Sequence, residues 1–307
     1  MYHYVRGDTS RPPAGYYHLD VTDFRSQLDH FQREYTLLSA ETVRACLRGE
    51  RTPPDDGLVL TFDDGLADHY EWVLPELRAR DLWGIFFVPT APLFHGRRLP
   101  VHRIHTLVSE YRGSALLGAL REILRTEGID CRDDTEDMYA GRETADSVRQ
   151  FKQVLNRAVP DRTLATVLDR LEARFPRAQT TVEELYLTPT QLGELSAAGM
   201  GIGAHTVTHP VLSELPVAAQ RWEIATSRRQ LTACLDAPVE LFAYPYGGSD
   251  SYTDRTVELV REAGFEAAFT TVPGDIGGDG RDPLALPRRD CAALEHGAST
   301  FSLPNAD

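Results

Sequence analysis

Lysine is nearly absent from this 307-residue chain, where Lys152 is the sole example against abundant arginine. That scarcity leaves almost no residue for Schiff-base chemistry. Positive charge as a whole is short, with 32 Lys and Arg against 46 Asp and Glu, a formal net charge of -14 and a pI near 5.2. Nucleic acid and anionic membranes both demand a basic surface, so neither fits as the main partner. A substrate of this chain is neutral, or is gripped through a metal. Cysteine is confined to Cys46, Cys131, Cys234 and Cys291, with no CxxC spacing, which points to reduced structural thiols in a cytosolic protein rather than a disulfide framework. No apolar run approaches membrane-spanning length, and the opening MYHYVRGDTS lacks the basic and apolar regions of an export signal. The expectation is a cytoplasmic protein without an integral membrane segment.

What is present reads as an ordinary globular composition, 42% hydrophobic and 25% charged. Short β-like runs alternate with helical periodicity, the pattern of an α/β fold with parallel strands. Strands are predicted at 2–5 (YHYV), 58–62, 84–89, 201–205, 240–244 and in FEAAFTT. Helices are predicted at 21–34, 40–48, 68–80, 216–235 and 253–263, the first from the shared face of Phe24, Leu28 and Phe31. Another opens at Thr188 as N-cap, with Pro189 at the first helical position, Gln191 closing a capping box and Gly199 ending it. From about 92 to 187 the alternation gives way to charged helical segments such as SVRQFKQVLNRAV and RTLATVLDRLEARF. This stretch is expected to be a helical insertion within a single domain spanning 1–307.

Two short segments carry chemistry. LVLTFDDGLADHY, residues 58–70, sets an apolar run against the adjacent carboxylates Asp63 and Asp64, whose charges must be neutralised if the strand is buried. GAHTVTHP places His205 and His209 just past another predicted strand, at a spacing that lets two imidazoles meet one ion. One Asp with two His leaves coordination positions open for water and substrate, as catalytic rather than structural metal sites do.

TFDDG, HTVTH and FAYPYG, in that order, resemble the three leading motifs of the polysaccharide deacetylases, the NodB-homology or carbohydrate esterase family 4 proteins. The resemblance spans most of the chain outside 92–187. It implies a distorted (β/α) barrel with a helical insertion and a divalent metal, usually zinc, at the C-terminal ends of the strands. Asp64, His205 and His209 look like the metal ligands, and Asp63 like the general base. The implied reaction is removal of an N-acetyl group from an amino sugar, a glycan precursor or glycosylated small molecule made inside the cell. A deformylase or O-acetyl esterase would use the same centre, and a non-catalytic sugar-binding relative would keep the fold without the turnover. A backbone N–H at Tyr246 is the implied oxyanion donor.

The general acid histidine usually stands near the C-terminus in this family, where His296 lies. In a circularly permuted group it opens the chain in a YH pair, so His3 in MYHYV is the preferred acid. The third motif's usual arginine, which orients the base, is matched here by Ala243. Arg288 or Arg289 in LPRRD is expected to supply that charge, although paired arginines are more often a solvated surface. Phe269 and Leu286 are candidates for the apolar wall against the acetyl methyl. Asp68, His69, His102 and His105 are expected to face solvent or cap helices.

Overall fold

The runs dense in aromatic and β-branched residues form one parallel sheet. A computed structural model describes residues 1–7, 13, 16–131, 145–176, 180–276 and 282–297. In it β1 (Leu60–Phe62), β2 (Gly84–Val88), β3 (Gly201–Ala204), β4 (Leu241–Ala243) and β5 (Ala267–Phe269) pair in chain order, all parallel. Both sheet edges are extended. On one side Tyr2 N–H donates to Thr61 O (2.8 Å) and Asp63 N–H to Tyr2 O (2.9 Å). On the other Leu286 N–H donates to Ala268 O and Thr270 N–H to Leu286 O, each at 2.8 Å. The two edges then meet, because Met1 N donates to Arg289 O (2.7 Å) and Cys291 N–H to Met1 O (3.0 Å). A twisted sheet joined in this way curls into the distorted barrel expected of the chain.

The first predicted strand is corrected by this closure. Tyr2 bridges to Phe62, whereas Val5–Arg6 leaves that edge to pair with Leu19–Asp20, and His3 sits between the two pieces. The departure is tied down by Arg6, whose Nε and Nη2 donate to Asp68 Oδ2 at 3.0 and 2.7 Å in a buried ion pair.

Strand alternation divides the apolar residues between two clusters. Leu60, Phe62, Phe86, Val88, Phe242 and Ala268 join the main core with the helices, while Ile85, Phe87, Ala243, Phe269 and Leu286 make a second cluster on the opposite face. The main-core helices are α1 (Val21–Glu34), α2 (Pro189–Ala197), α3 (Val217–Leu235) and α4 (Asp254–Glu262). The start of α2 is as predicted, with the Thr188–Gln191 capping box formed and Gly199 at φ 82° beyond its end. The predicted helix 68–80 opens instead as a π-helical turn, His69–Val73, before α-helix Leu74–Ala79. Pro75 has no N–H to give the preceding turn, which accounts for the widened start.

Gly203 on β3 is dictated by packing. A Cβ there would stand 2.4 Å from both Cδ1 and Cε1 of Phe87, which is fully buried. Gly203→Ala is therefore expected to lower stability by about 1–3 kcal/mol through overpacking. Urea denaturation checks this, and an unchanged midpoint would mean the ring moves aside freely.

By contact density the chain divides into two compact units. One comprises Met1–Gly7, His18–Arg97 and Leu185–Thr300; the other comprises Asp8–Tyr17, Arg98–Glu184 and Phe301–Asp307. The second unit is helical in its described part, with helices Pro100–Glu110, Gly113–Thr126, Asp146–Gln153 and Asp161–Arg174 around buried Leu116, Leu120, Val148, Phe151, Leu168 and Leu171. His102 is fully buried here, against the expectation of a solvent-facing side chain, and His105 stacks on Tyr16 at 4.0 Å between ring centroids. Both lie on an amphipathic helix whose buried stripe includes Val101, His102 and Ile104. Lys152 is also buried, its Nζ donating to the Tyr16 hydroxyl at 3.2 Å. Among the described residues no helix is long and apolar enough to cross a membrane.

Candidate metal centre

The chain must turn sharply as it leaves β1, and Asp64 and Gly65 do this with φ of 78° and 58°. A Cβ on Gly65 would lie 2.9 Å from Val88 Cγ1, so this position needs glycine for space as well as for its backbone. The turn leaves Asp63 and Asp64, both buried, with different neighbours.

Asp64 meets the two histidines. Its Oδ1 lies 3.6 Å from His205 Nε2 and 3.3 Å from His209 Nε2, and one ligand atom from each of the three residues falls within 4.8 Å of the others. Three donors at ~2.1 Å from one tetrahedral ion would be separated by ~3.4 Å, so carboxylate and imidazoles fit a zinc-like ion. His205 Nδ1–H donates to Ala243 O at 2.7 Å, which fixes the tautomer and leaves Nε2 as the lone-pair atom towards Asp64.

Backbone strain gathers at the same place. Non-glycine residues with positive φ include Asp64 (78°), Thr206 (62°), His209 (60°) and Tyr246 (61°). Such conformations cost on the order of 1–3 kcal/mol each and persist where surroundings over-determine them. At residues 206–209 the restraints are visible. Thr206 Oγ1 donates to His205 O (2.6 Å) and accepts from His209 N–H (3.0 Å), while Thr90 and Ala91 N–H donate to Thr206 O (3.1 Å) and Val207 O (2.8 Å). The Tyr246 turn is held from β5's side, since Thr271 donates its hydroxyl to Tyr246 O (2.6 Å) and its N–H to Gly247 O (2.8 Å). The Tyr246 ring stands 5.0 Å from that of His209.

Asp63 is neutralised by Arg288. Nη1 and Nη2 donate to Oδ1 and Oδ2, each at 2.7 Å, while Nη1 also reaches Thr61 Oγ1 (3.2 Å) and Nε donates to Thr270 O (2.8 Å). The guanidinium lies over the Phe87 ring at 5.4 Å. Burial alone would raise the Asp63 pKa, but the Arg288 charge and hydrogen bonds hold it at about 2. Of the paired arginines, then, Arg288 is buried and Arg289 is the surface residue, bonded to Asp275 at 2.9 and 3.0 Å. The arginine comes from the segment beyond β5 and not from position 243, whose side chain stays in the apolar cluster.

His3 is half-buried, and its carbonyl accepts a hydrogen bond from His69 Nε2–H at 2.8 Å. His69 itself is fully buried, and desolvation lowers its pKa, so it stands neutral. Asp68 and His69 therefore do not face solvent as expected; both are consumed in fastening the segment around His3 to the DDG turn. His296 contacts Glu295 (3.6 Å) and faces the His30 ring on α1 at 6.1 Å, with its side chain 41% exposed. Phe269 and Leu286 pack with Phe87 and Ala243 in the inner cluster. The reading of the sequence passed over Thr61, although strand alternation puts it on the same face as Asp63, and Glu223, which lies in α3 among residues of mixed polarity.

Residues 150–268 match the family model described as polysaccharide deacetylase. Over that span the chain is similar to the polysaccharide deacetylases. The matched span holds HTVTH and FAYPYG but not TFDDG, which the fold brings to the same centre. YxkH of Bacillus subtilis strain 168, provisionally named a polysaccharide deacetylase, is 28% identical over 89 residues, 29% of this chain. The match spans 31% of that relative's length. Among solved structures, the Streptococcus pyogenes deacetylase PplD in complex with acetate aligns over 94% of this chain and 89% of its own, with TM-score 0.56 and 20% identity. IcaB from Ammonifex degensii aligns over 94% and 88%, with TM-score 0.55 and 19% identity. These structures share the fold.

Proposed function

We propose that this chain is a metal-dependent N-deacetylase acting on an N-acetylated amino sugar within the cell. The observation that carries the reading is the convergence of Asp64, His205 and His209 beside a second carboxylate, Asp63, held by Arg288. Asp64 and the two imidazoles would hold the ion, most simply Zn2+. When bound, such an ion polarises an amide carbonyl and makes water a nucleophile near neutral pH.

The chain's own groups take the remaining roles. Asp63 is ionised at neutral pH, and the two bonds from Arg288 occupy one lone pair on each oxygen, leaving others to accept a proton. Arg288 fixes the carboxylate's plane, and Thr61 and Phe87 in turn fix Arg288. We assign the backbone N–H of Tyr246 to the developing oxyanion, because its turn is pinned beside His209. His3 is read as the acid that protonates the departing amine, since His69 fastens its segment beside the DDG turn, whereas His296 makes its contacts with Glu295 and His30. On this reading His3→Ala lowers turnover about 10²–10⁴-fold with metal content unchanged. Metal analysis beside initial rates checks both parts, and wild-type rates would remove His3 from the reaction.

The function is tested by incubating metal-loaded protein with a panel of acetamido sugars, their N-formyl counterparts and O-acetyl esters. Acetate release from the acetamido compounds is expected. Activity confined to formyl or ester substrates would reassign the chemistry, and binding without release would make this a sugar-binding relative.

A further inference from the structure

The loop that carries both histidines is strained, and something outside the loop must hold it. Its peptide N–H groups at Val207 and Thr208 point at one buried carboxylate on α3. Glu223 Oε2 accepts from Val207 N–H at 2.7 Å and from Thr208 N–H at 2.9 Å, while Oε1 accepts from the Thr208 hydroxyl at 2.6 Å. Glu223 is only 5% exposed. A buried carboxylate is tolerated where donors compensate its charge, and charge-assisted bonds to backbone N–H are stronger than neutral ones. The three donors sit between Thr206 at φ 62° and His209 at φ 60°. Thr206 is β-branched, the kind of residue for which positive φ is a genuine outlier.

We propose that Glu223 is a positioning residue for the metal centre: it holds residues 206–209 in the strained conformation that turns His209 towards Asp64 and His205. The inference rests on the reading that these three residues take a divalent ion. Without the carboxylate, relaxation of Thr206 and His209 to ordinary backbone would carry the His209 ring away from its partners. The free energy that gathers the ligands would then come out of metal binding. Glutamine is the informative substitution, because it preserves shape but has a single amide oxygen for three donors, and its NH2 group would face either a backbone N–H or the Thr208 hydroxyl.

Zn2+ binding is measured by chelator competition on wild type, Glu223→Gln, Glu223→Asp and the control Trp222→Ala. Trp222 is the neighbouring exposed residue on the same helix, 52% accessible. The expected result is about 10- to 100-fold weaker zinc binding for Glu223→Gln. A smaller loss is expected for Glu223→Asp, which keeps the charge, and none for Trp222→Ala. A second readout is amide hydrogen exchange in the metal-free proteins, where Val207 and Thr208 should exchange faster in Glu223→Gln while β3 keeps its protection. Lowered thermal stability with unchanged zinc affinity would overturn the proposal and make Glu223 a merely structural residue, as would unchanged exchange at Val207 and Thr208. Absence of stoichiometric zinc binding by the wild type would overturn the metal reading itself, and this proposal with it. If Glu223→Gln does not fold, Glu223→Asp bears the test, and wild-type zinc affinity in that folded variant overturns the proposal.

Discussion

Asp63→Asn protein is expected to bind zinc as the wild type does and to release acetate about 10²–10⁴-fold more slowly. The substitution keeps the shape of the side chain and touches no residue of the Asp64, His205 and His209 set. What it removes is the carboxylate that the proposed function casts as the base. The pKa of about 2 means Asp63 is far from the value at which a base is most effective, which points to the lower part of that range. Two controls accompany the rate. Metal content by elemental analysis separates loss of a base from loss of a ligand. A denaturation curve is also needed, because asparagine leaves the buried Arg288 charge without its counter-ion, and rates must be scaled to folded protein. Turnover within a few-fold of wild type would place the base elsewhere.

Arg288→Ala is expected to cost about 3–5 kcal/mol of stability, the penalty for leaving a buried carboxylate without its partner. The double variant Asp63→Asn/Arg288→Ala should cost less than the sum of the single changes, since it removes both charges together. Equal and additive losses would show that the pair is not coupled. The pH dependence has a definite sign. Asp63 has a folded pKa depressed from 3.8 to about 2, so its contribution is present above about pH 4 and is lost as the pH falls through the folded value. Metal-free wild type should therefore lose stability on acidification across that window, whereas Arg288→Ala, with Asp63 no longer held down, should lose less there. Urea midpoints at pH 5, 4 and 3 are enough to distinguish the two.

The α2 start was legible to the residue because a capping box is local: Thr188, Pro189 and Gln191 specify it among themselves. The β2 strand was legible because residues buried on both faces leave an unbroken apolar run. The meeting of TFDDG with HTVTH was legible because both motifs lie at strand ends, where α/β folds gather their polar groups, whereas the choice of Asp64 over its neighbour Asp63 came from the family resemblance. Asp68, His69 and His102 were misread because surface and core are indistinguishable for a polar residue until its partner is known. For Asp68 and His69 the outcome hangs on another segment, with Arg6 sixty-two positions from Asp68 and the His3 carbonyl sixty-six from His69.

Arg288 marks the boundary most clearly. Nothing in LPRRD tells one arginine from the other, since alternation along the chain only says that they point opposite ways. Closure of the sheet decides it, placing one side chain against Thr61, Phe87 and Asp63 and the other against Asp275. Local periodicity and caps, then, were enough to determine the parallel α/β architecture, and two short motifs at strand ends pointed to Asp64, His205 and His209, whose ligand atoms the fold brings within 4.8 Å of one another. Only the folded barrel determined the counter-ion of Asp63, the fastening of His3 through His69, and the grip of Glu223 on the histidine loop. Those contacts join segments far apart in sequence, and each offsets the cost of burying a polar or charged group with hydrogen bonds that only the folded chain can supply.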